Sequence, residues 1–191
     1  MSDILSALHT DHRHIHKLMR LLGQQTALLA SGNDPDWDLV IDILNYMAQY
    51  PDACHHPREE QIFNHFRQRY KNSDLDETIE RLAREHRELP PATIELRNQV
   101  ESIREGAAIL TRDELASSLN DYIAQQHNHI ATEENRLFPV VEHRLTADDL
   151  KILEATLPEQ QDPVFGSVTE QQFEALYRRI LEGDEGDEKR P

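Results

Sequence analysis

The chain has 191 residues, with 36 Asp and Glu against 20 Lys and Arg, for a formal net charge of −16 with histidine neutral. That charge excludes polyanionic partners, so neither a nucleic acid nor an anionic membrane is expected to bind. The single cysteine, Cys54, excludes an internal disulfide, and no apolar run approaches the roughly 18 residues of a membrane span, so a reducing, cytoplasmic setting is expected. Only six glycines, with frequent Leu, Ala, Glu, Gln and Arg, favour helix throughout. Eleven histidines are the one compositional oddity.

Residues 2 to about 30 predict a first helix, capped by Ser2 or Asp3, with Ile4, Leu8, His12, Ile15, Met19 and Leu22 on one stripe. Ser31 to Asp36 is a break. A second helix over 36–70 carries Val40, Ile43, Met47, Tyr50, His55, Glu59, Ile62 and Phe66, with one irregular step and an expected kink near Pro51. Asn72-Ser73-Asp74 ends it and can cap the next. The third helix, 75–105, alternates three and four without a fault through Ile79, Leu82, His86, Leu89, Thr93, Leu96, Val100 and Ile103; Pro90-Pro91 predicts a kink or a split. Thr111 to Glu114 is a capping box opening a fourth helix to about 144, striped by Leu115, Leu119, Tyr122, Gln126, His129, Glu133, Leu137 and Val140. Thr146 caps a short fifth helix over 147–155. Ser167-Val168-Thr169-Glu170 reads as another capping box, before a helix to about Leu181. The expected organisation is an all-α, up-down four-helix bundle over 1–145, a C-terminal helical extension over 146–182 on or near it, and an acidic disordered tail over 183–191.

Two stretches look alike: His55-His56-Pro57-Arg58-Glu59-Glu60-Gln61-Ile62-Phe63 and His129-Ile130-Ala131-Thr132-Glu133-Glu134 through Phe138. A His and a Glu four apart lie on one helix face, about 6 Å apart along the axis. Imidazole with carboxylate suits iron, zinc or manganese. At the α-helical rise, His12 and His55 both lie about 27–29 Å from the connection joining their helices. His86 and the His129/Glu133 turn match similarly, so all six side chains can share one layer.

Taken singly, a core-facing His such as His86 reads as a hydrogen-bonded core residue, and one HxxxE pair reads as a surface salt bridge. The recurrence of His on independent stripes, two of them also with Glu, favours metal. The candidate ligands are therefore His12, His55, Glu59, His86, His129 and Glu133. His56 with Glu60, and His127 near Glu134, compete with them but are placed beside the site or on the surface. Tyr50, Tyr122 and Gln126 lie about a turn above, able to donate hydrogen bonds to a bound oxygen species or simply to pack. His9, His14, His16, His65 and His143 read as surface residues, and Cys54 as a buried inert thiol.

With these residues in place, the sequence resembles the hemerythrin-like family, or HHE cation-binding domains, over roughly residues 2–144. The resemblance rests on Asp11-His12-x-x-Ile15, His55-His56-Pro57-x-Glu59-Glu60-x-Ile62-Phe63, Glu85-His86, and His129-x-x-x-Glu133-x-x-x-Leu137-Phe138-Pro139. It implies a four-helix bundle holding two iron ions with oxo or hydroxo and carboxylate bridges. Oxygen-carrying hemerythrins use a further His four residues after the one on the third helix; here that place is Pro90, which cannot ligate. The four-His, two-Glu pattern looks like proteins that repair iron–sulfur clusters or respond to nitric oxide, and like eukaryotic iron sensors. The repair proteins carry a short Cys-containing domain ahead of the bundle, whereas here the bundle is expected to begin at residue 2. Gln161 to Gly166 followed by Phe173, Leu176 and Tyr177 looks like an extension of bacterial single-domain members.

The expected function is binding, sensing or reduction of a small oxidant (O2, H2O2 or NO) at a di-iron centre, with zinc or manganese as substitutes. The alternative is an iron-sensing or iron-handling module, or a repair-type protein without turnover, with a homodimer or an effector protein engaged through the C-terminal helices. A ferritin-like oxidase needs Glu-x-x-His on two helices, and the sequence has none.

Overall fold

The computed structural model describes residues 3–71, 74–107, 110–157 and 161–187. Helices are their regular secondary structure, with no strand among the described residues. Four rods make the bundle. The first is α1 (Asp3–Ala30). The second joins α2 (Trp37–Gln49), a π turn (Pro51–His55) and α3 (His56–Arg69). The third is α4 (Asp76–Arg104). The fourth joins α5 (Arg112–Thr132), a second π turn (Glu133–Leu137) and α6 (Phe138–Arg144). Beyond it lie α7 (Ala147–Thr156), a 3-10 turn (Gln171–Phe173) and α8 (Glu174–Asp187). The rods contact one another in a ring: α1 with α2 and α5, α2 and α3 with α4, and α4 with α5. No described helix is long and apolar enough to cross a membrane.

Local chemistry sets the ends. Asp36 accepts from the Leu39 N–H at the start of α2, and Thr111 with Glu114 and Thr146 with Asp149 form reciprocal capping boxes. The box expected at Ser167–Glu170 does not form. The Ser167 hydroxyl donates to Gln161 and that of Thr169 to the Val164 carbonyl, so the chain enters through the 3-10 turn and α8 starts only at Glu174. The expected caps at Ser2 and at Asn72-Ser73 lie outside the described residues, as do 188–191 of the expected tail, although α8 runs to Asp187.

At Pro51 the irregular step resolves into a π turn: the His55 N–H reaches five residues back to the Tyr50 carbonyl, absorbing one residue of register. Pro90 and Pro91 do not split α4, which runs unbroken through both. The second π turn shifts the end of the fourth stripe, so Leu137, Phe138 and Val141 are buried whereas Val140 is only partly so.

The apolar core comes in two clusters. One gathers Ile15, Met19, Leu22, Val40, Met47, Tyr50, Val100 and Leu119; the other gathers Leu5, Leu8, Ile62, Phe66, Ile79, Leu82, Phe138 and Val141. On every rod the predicted ligands fall between the two. The segment after the bundle joins both: Leu153 enters the second cluster, and Val164, Phe173, Leu176 and Ile180 enter the first, where α8 packs on α1 and α2.

Candidate metal centre

All six predicted ligands meet in the layer between the clusters. His12 comes from α1, His55 from the last residue of the first π turn, Glu59 from α3, His86 from α4, His129 from the last turn of α5, and Glu133 from the first residue of the second π turn. None is more than 7% exposed, and both glutamates are at 0%.

The two carboxylates each span two histidine pairs. Glu59 turns Oε1 to His12 Nε2 and His55 Nε2, both at 3.3 Å, and Oε2 to His86 Nε2 at 3.5 Å. Glu133 turns Oε2 to His12 Nε2 at 3.4 Å, and Oε1 to His86 Nε2 at 3.4 Å and His129 Nε2 at 3.3 Å. These are ion-pair distances without hydrogen-bond geometry: His12 Nε2 and all four glutamate oxygens have no hydrogen-bond partner among the described residues. Bare buried carboxylates cost several kcal/mol each, and His86 Nε2 faces His129 Nε2 at 3.1 Å. Donors converging on common points in this way suit cations lying between them, so the residues present fit a two-ion centre. Two ligand groups, His12/His55/Glu59 and His56/Glu59/His86/His129, each bring their ligand atoms within 4.8 Å of one another.

Behind each imidazole stands a carboxylate from the adjacent rod. Asp11 on α1 lies 3.0 Å from His55 Nδ1, Glu60 on α3 lies 3.0 Å from His86 Nδ1, Glu85 on α4 lies 2.8 Å from His129 Nδ1, and Glu134 on the fourth rod lies 2.6 Å from His12 Nδ1. The four form a closed ring. A carboxylate on Nδ1 holds the proton there, turns the Nε2 lone pair inward and raises its basicity.

The charges follow from this enclosure. Burial alone would lower His12, His55 and His86. For His12, Glu133, Glu134 and Glu59 outweigh it; for His55, Glu59 and Asp11 do; for His86, Glu133, Glu59 and Glu60 do, lifting it to about 11. Burial would raise Glu59, but His55, His12 and His86 hold it well below the carboxylate range. Glu133 is also held down, by His129, His12 and His86 against burial and the charge of Glu59.

Of the other residues singled out from the sequence, Glu60 backs His86 rather than pairing with His56, and the Tyr50 hydroxyl donates to Asp11 at 3.3 Å. The Tyr122 hydroxyl shares a hydrogen bond with Thr93, and Gln126 is buried one turn from His129. His127 is exposed on α5, its ring against His16. His56 is buried in the layer, its ring stacked on His86; burial and the neighbouring His86, His55 and His129 hold it well below the ordinary imidazole range. His16 and His143 are exposed, whereas His9, His14 and His65 are half-buried on Glu134, Asp162 and Asp149. Cys54 is half-buried too, and burial raises its thiol.

Sequence reasoning gave no role to Asp162. Its Oδ1 accepts the N–H groups of Val164 and Phe165, and its Oδ2 accepts the Tyr46 hydroxyl. Gly166 closes this turn so tightly that a Cβ there would strike the Asp162 carbonyl. The signal was present as Asp-Pro two residues before an apolar pair and a glycine, a turn composition whose partner, Tyr46, is remote in sequence.

The profile of the hemerythrin HHE cation-binding domain matches residues 3–141. The chain belongs to the hemerythrin HHE cation-binding family, and its buried His/Glu clusters fit a two-metal site. No curated protein matches the chain.

Proposed function

We propose that this is a non-haem di-iron protein that binds, senses or reduces a small oxidant: O2, H2O2 or NO. His12 and His55 would hold one ion and His86 and His129 the other, with Glu59 and Glu133 each able to offer an oxygen to both. The observation that carries this reading is that each glutamate offers one oxygen to either histidine pair. Iron bound there supplies exchange between ferrous and ferric states and a coordination position for a small ligand, with zinc or manganese as substitutes. The chain supplies the surroundings. The carboxylate ring fixes every tautomer, Phe63 and Phe138 wall the layer from below, and Tyr122 and Gln126 lie above it. A pocket of about 340 Å³ lined by His9, His12, Arg13, His16 and Glu134 opens beside the layer at His12. The half-buried single cysteine suits a reducing, cytoplasmic setting.

The decisive experiment is anaerobic loading with two equivalents of ferrous iron, followed by O2, peroxide or NO. A ferric or iron–nitrosyl absorption band is expected; its absence with two irons bound would sink the reading.

A second reading, iron sensing with the C-terminal segment as effector surface, is favoured by one connection. His55 meets Asp11, Asp11 accepts from Tyr50, Tyr50 packs on Tyr46 with ring centroids 5.9 Å apart, and Tyr46 donates to Asp162. It predicts that protease cutting within 146–181 changes with iron loading, without turnover.

A further inference from the structure

Among the described residues, one set of metal-binding side chains comes together outside the layer. Asp11, His14 and Asp162 each bring a ligand atom within 4.8 Å of the others. Asp11 and His14 are three residues apart on α1, which puts them on one face of that helix. Asp162 reaches them from the turn that Gly166 closes, beyond the bundle. His14 Nδ1 is buried and has no hydrogen-bond partner among the described residues. Asp162 Oδ2 stands 3.5 Å from it. Where a histidine and a carboxylate support each other in this chain they close to 2.6–3.0 Å, as behind the imidazoles of the layer and at His65. The wider gap at His14 instead matches the 3.3–3.5 Å at which nitrogen and oxygen converge inside the layer.

The surroundings hold these groups in place. Phe165 stacks on the His14 ring, centroids 3.8 Å apart and planes 14° apart, which covers the ring face and leaves the in-plane lone pair of Nδ1 free. Asp162 Oδ1 is taken by the Val164 and Phe165 N–H groups, whereas Oδ2 accepts only the Tyr46 hydroxyl, at 2.7 Å, as a hydrogen bond. That leaves Oδ2 a second lone pair. At Asp11, His55 Nδ1 at 3.0 Å and Arg58 Nη1 at 3.9 Å lie on Oδ2, and the Tyr50 hydroxyl is 3.3 Å from either oxygen. Oδ1 is therefore the oxygen left for an ion. Neither aspartate is more than 8% exposed. Two buried carboxylates match a divalent ion in charge, and one imidazole with two carboxylates suits zinc or manganese.

We propose that Asp11, His14 and Asp162 form a separate divalent-cation site, taking zinc or manganese(II) through His14 Nδ1 and one oxygen of each aspartate, with solvent completing the coordination. Tyr46 and Tyr50 are its positioning residues, since their hydroxyls orient the two carboxylates. The ion fastens the turn at Asp162 to α1 and so tightens the docking of Phe173, Leu176 and Ile180 on the first apolar cluster. The site stands independently of the two-ion reading: His14 and Asp162 take no part in the layer, and only Asp11 touches both.

The test is crystallisation of the full chain with zinc in excess of two equivalents, and anomalous scattering recorded at the zinc edge. A peak between His14 and Asp162, apart from any in the layer, is expected in the wild-type chain. It is expected to vanish in His14→Gln while peaks in the layer stay. No peak there in the wild-type chain, or one that persists in His14→Gln, would overturn the site and leave the two-ion centre standing. A peak there over a layer without zinc would support the site and count against the two-ion reading alone. In solution, zinc added beyond two equivalents is expected to slow protease cutting within 161–181 in the wild-type chain and not in His14→Gln. Unchanged cutting in the wild-type chain, or equal slowing in the variant, would overturn the fastening. The wild-type map decides the matter even if His14→Gln fails to fold.

Discussion

At the scale of single residues, the carboxylates behind the imidazoles control how well the centre holds metal. Asp11 is the clearest case, because it receives both His55 Nδ1 and the Tyr50 hydroxyl. Asp11→Ala is expected to weaken metal binding by about 10–100-fold while leaving far-ultraviolet circular dichroism unchanged, as competition with a chromophoric chelator would measure. His127→Ala, on the exposed face of α5, is expected to change neither. The meeting of the six inward side chains in one layer was legible in the sequence because each replaces an apolar residue on a stripe of threes and fours. The backing carboxylates were not, since each serves a histidine on another rod. Asp11 is one residue from His12 but belongs to His55, and nothing along the chain marks that pairing. His56, placed from the sequence beside the site or on the surface, lies buried in the layer: a one-residue register shift at Pro51 decides its direction, and spacing counted on a regular helix does not see it.

At the scale of elements, the two π turns and the C-terminal segment do what periodicity did not reveal. A wide turn loses the regular i to i−4 ladder, so the amides of 52–56 and 133–138 are expected to exchange hydrogen faster than those of α4 around His86, although all flank buried metal-site side chains. Equal protection would argue against local weakness there. The C-terminal segment is tied in by Phe173, Leu176 and Ile180. Phe173→Ala is expected to cost about 3–5 kcal/mol, read as a lower urea midpoint. Asp162 adds a pH dependence to the same contact. Burial would raise its carboxyl, but His14, the Phe165 and Val164 N–H groups and Tyr46 outweigh that and hold it below the ordinary value. A depressed folded-state value contributes stability that is complete above about pH 4 and is lost as pH falls further. Asp162→Asn is expected to flatten acid unfolding in that window, followed by Tyr46 fluorescence or by proteolysis of the segment.

For the whole molecule, the core is two apolar clusters separated by a charged layer, so stability depends on what occupies the layer. A metal that binds the folded chain and not the unfolded one adds about 2.7 kcal/mol at a hundredfold excess over its Kd. Chelator treatment is therefore expected to lower Tm, and ferrous iron or zinc to restore it, by scanning calorimetry. An unchanged Tm on removal of bound metal would contradict the placement of the ions between the clusters. The charge of −16 also predicts that uptake of divalent cations slows as ionic strength rises. The fold class was readable from stripes, caps and short connections. The way 161–180 completes the core was less so, because its anchors are spread across the turn at Asp162 and a late-starting α8.

The ring of carboxylates carries one more consequence, for the handedness of the bundle. On the first and third rods the supporting acid precedes a ligand, as Asp11 precedes His12 and Glu85 precedes His86; on the second and fourth it follows one, as Glu60 follows Glu59 and Glu134 follows Glu133. One step back along an ascending right-handed helix and one step forward along a descending one turn in the same sense seen from above. All four acids therefore point the same way around the bundle, each onto the next rod. A bundle of these four helices wound in the opposite order would aim every acid away from its imidazole. The alternation of before and after thus encodes which way the chain circulates.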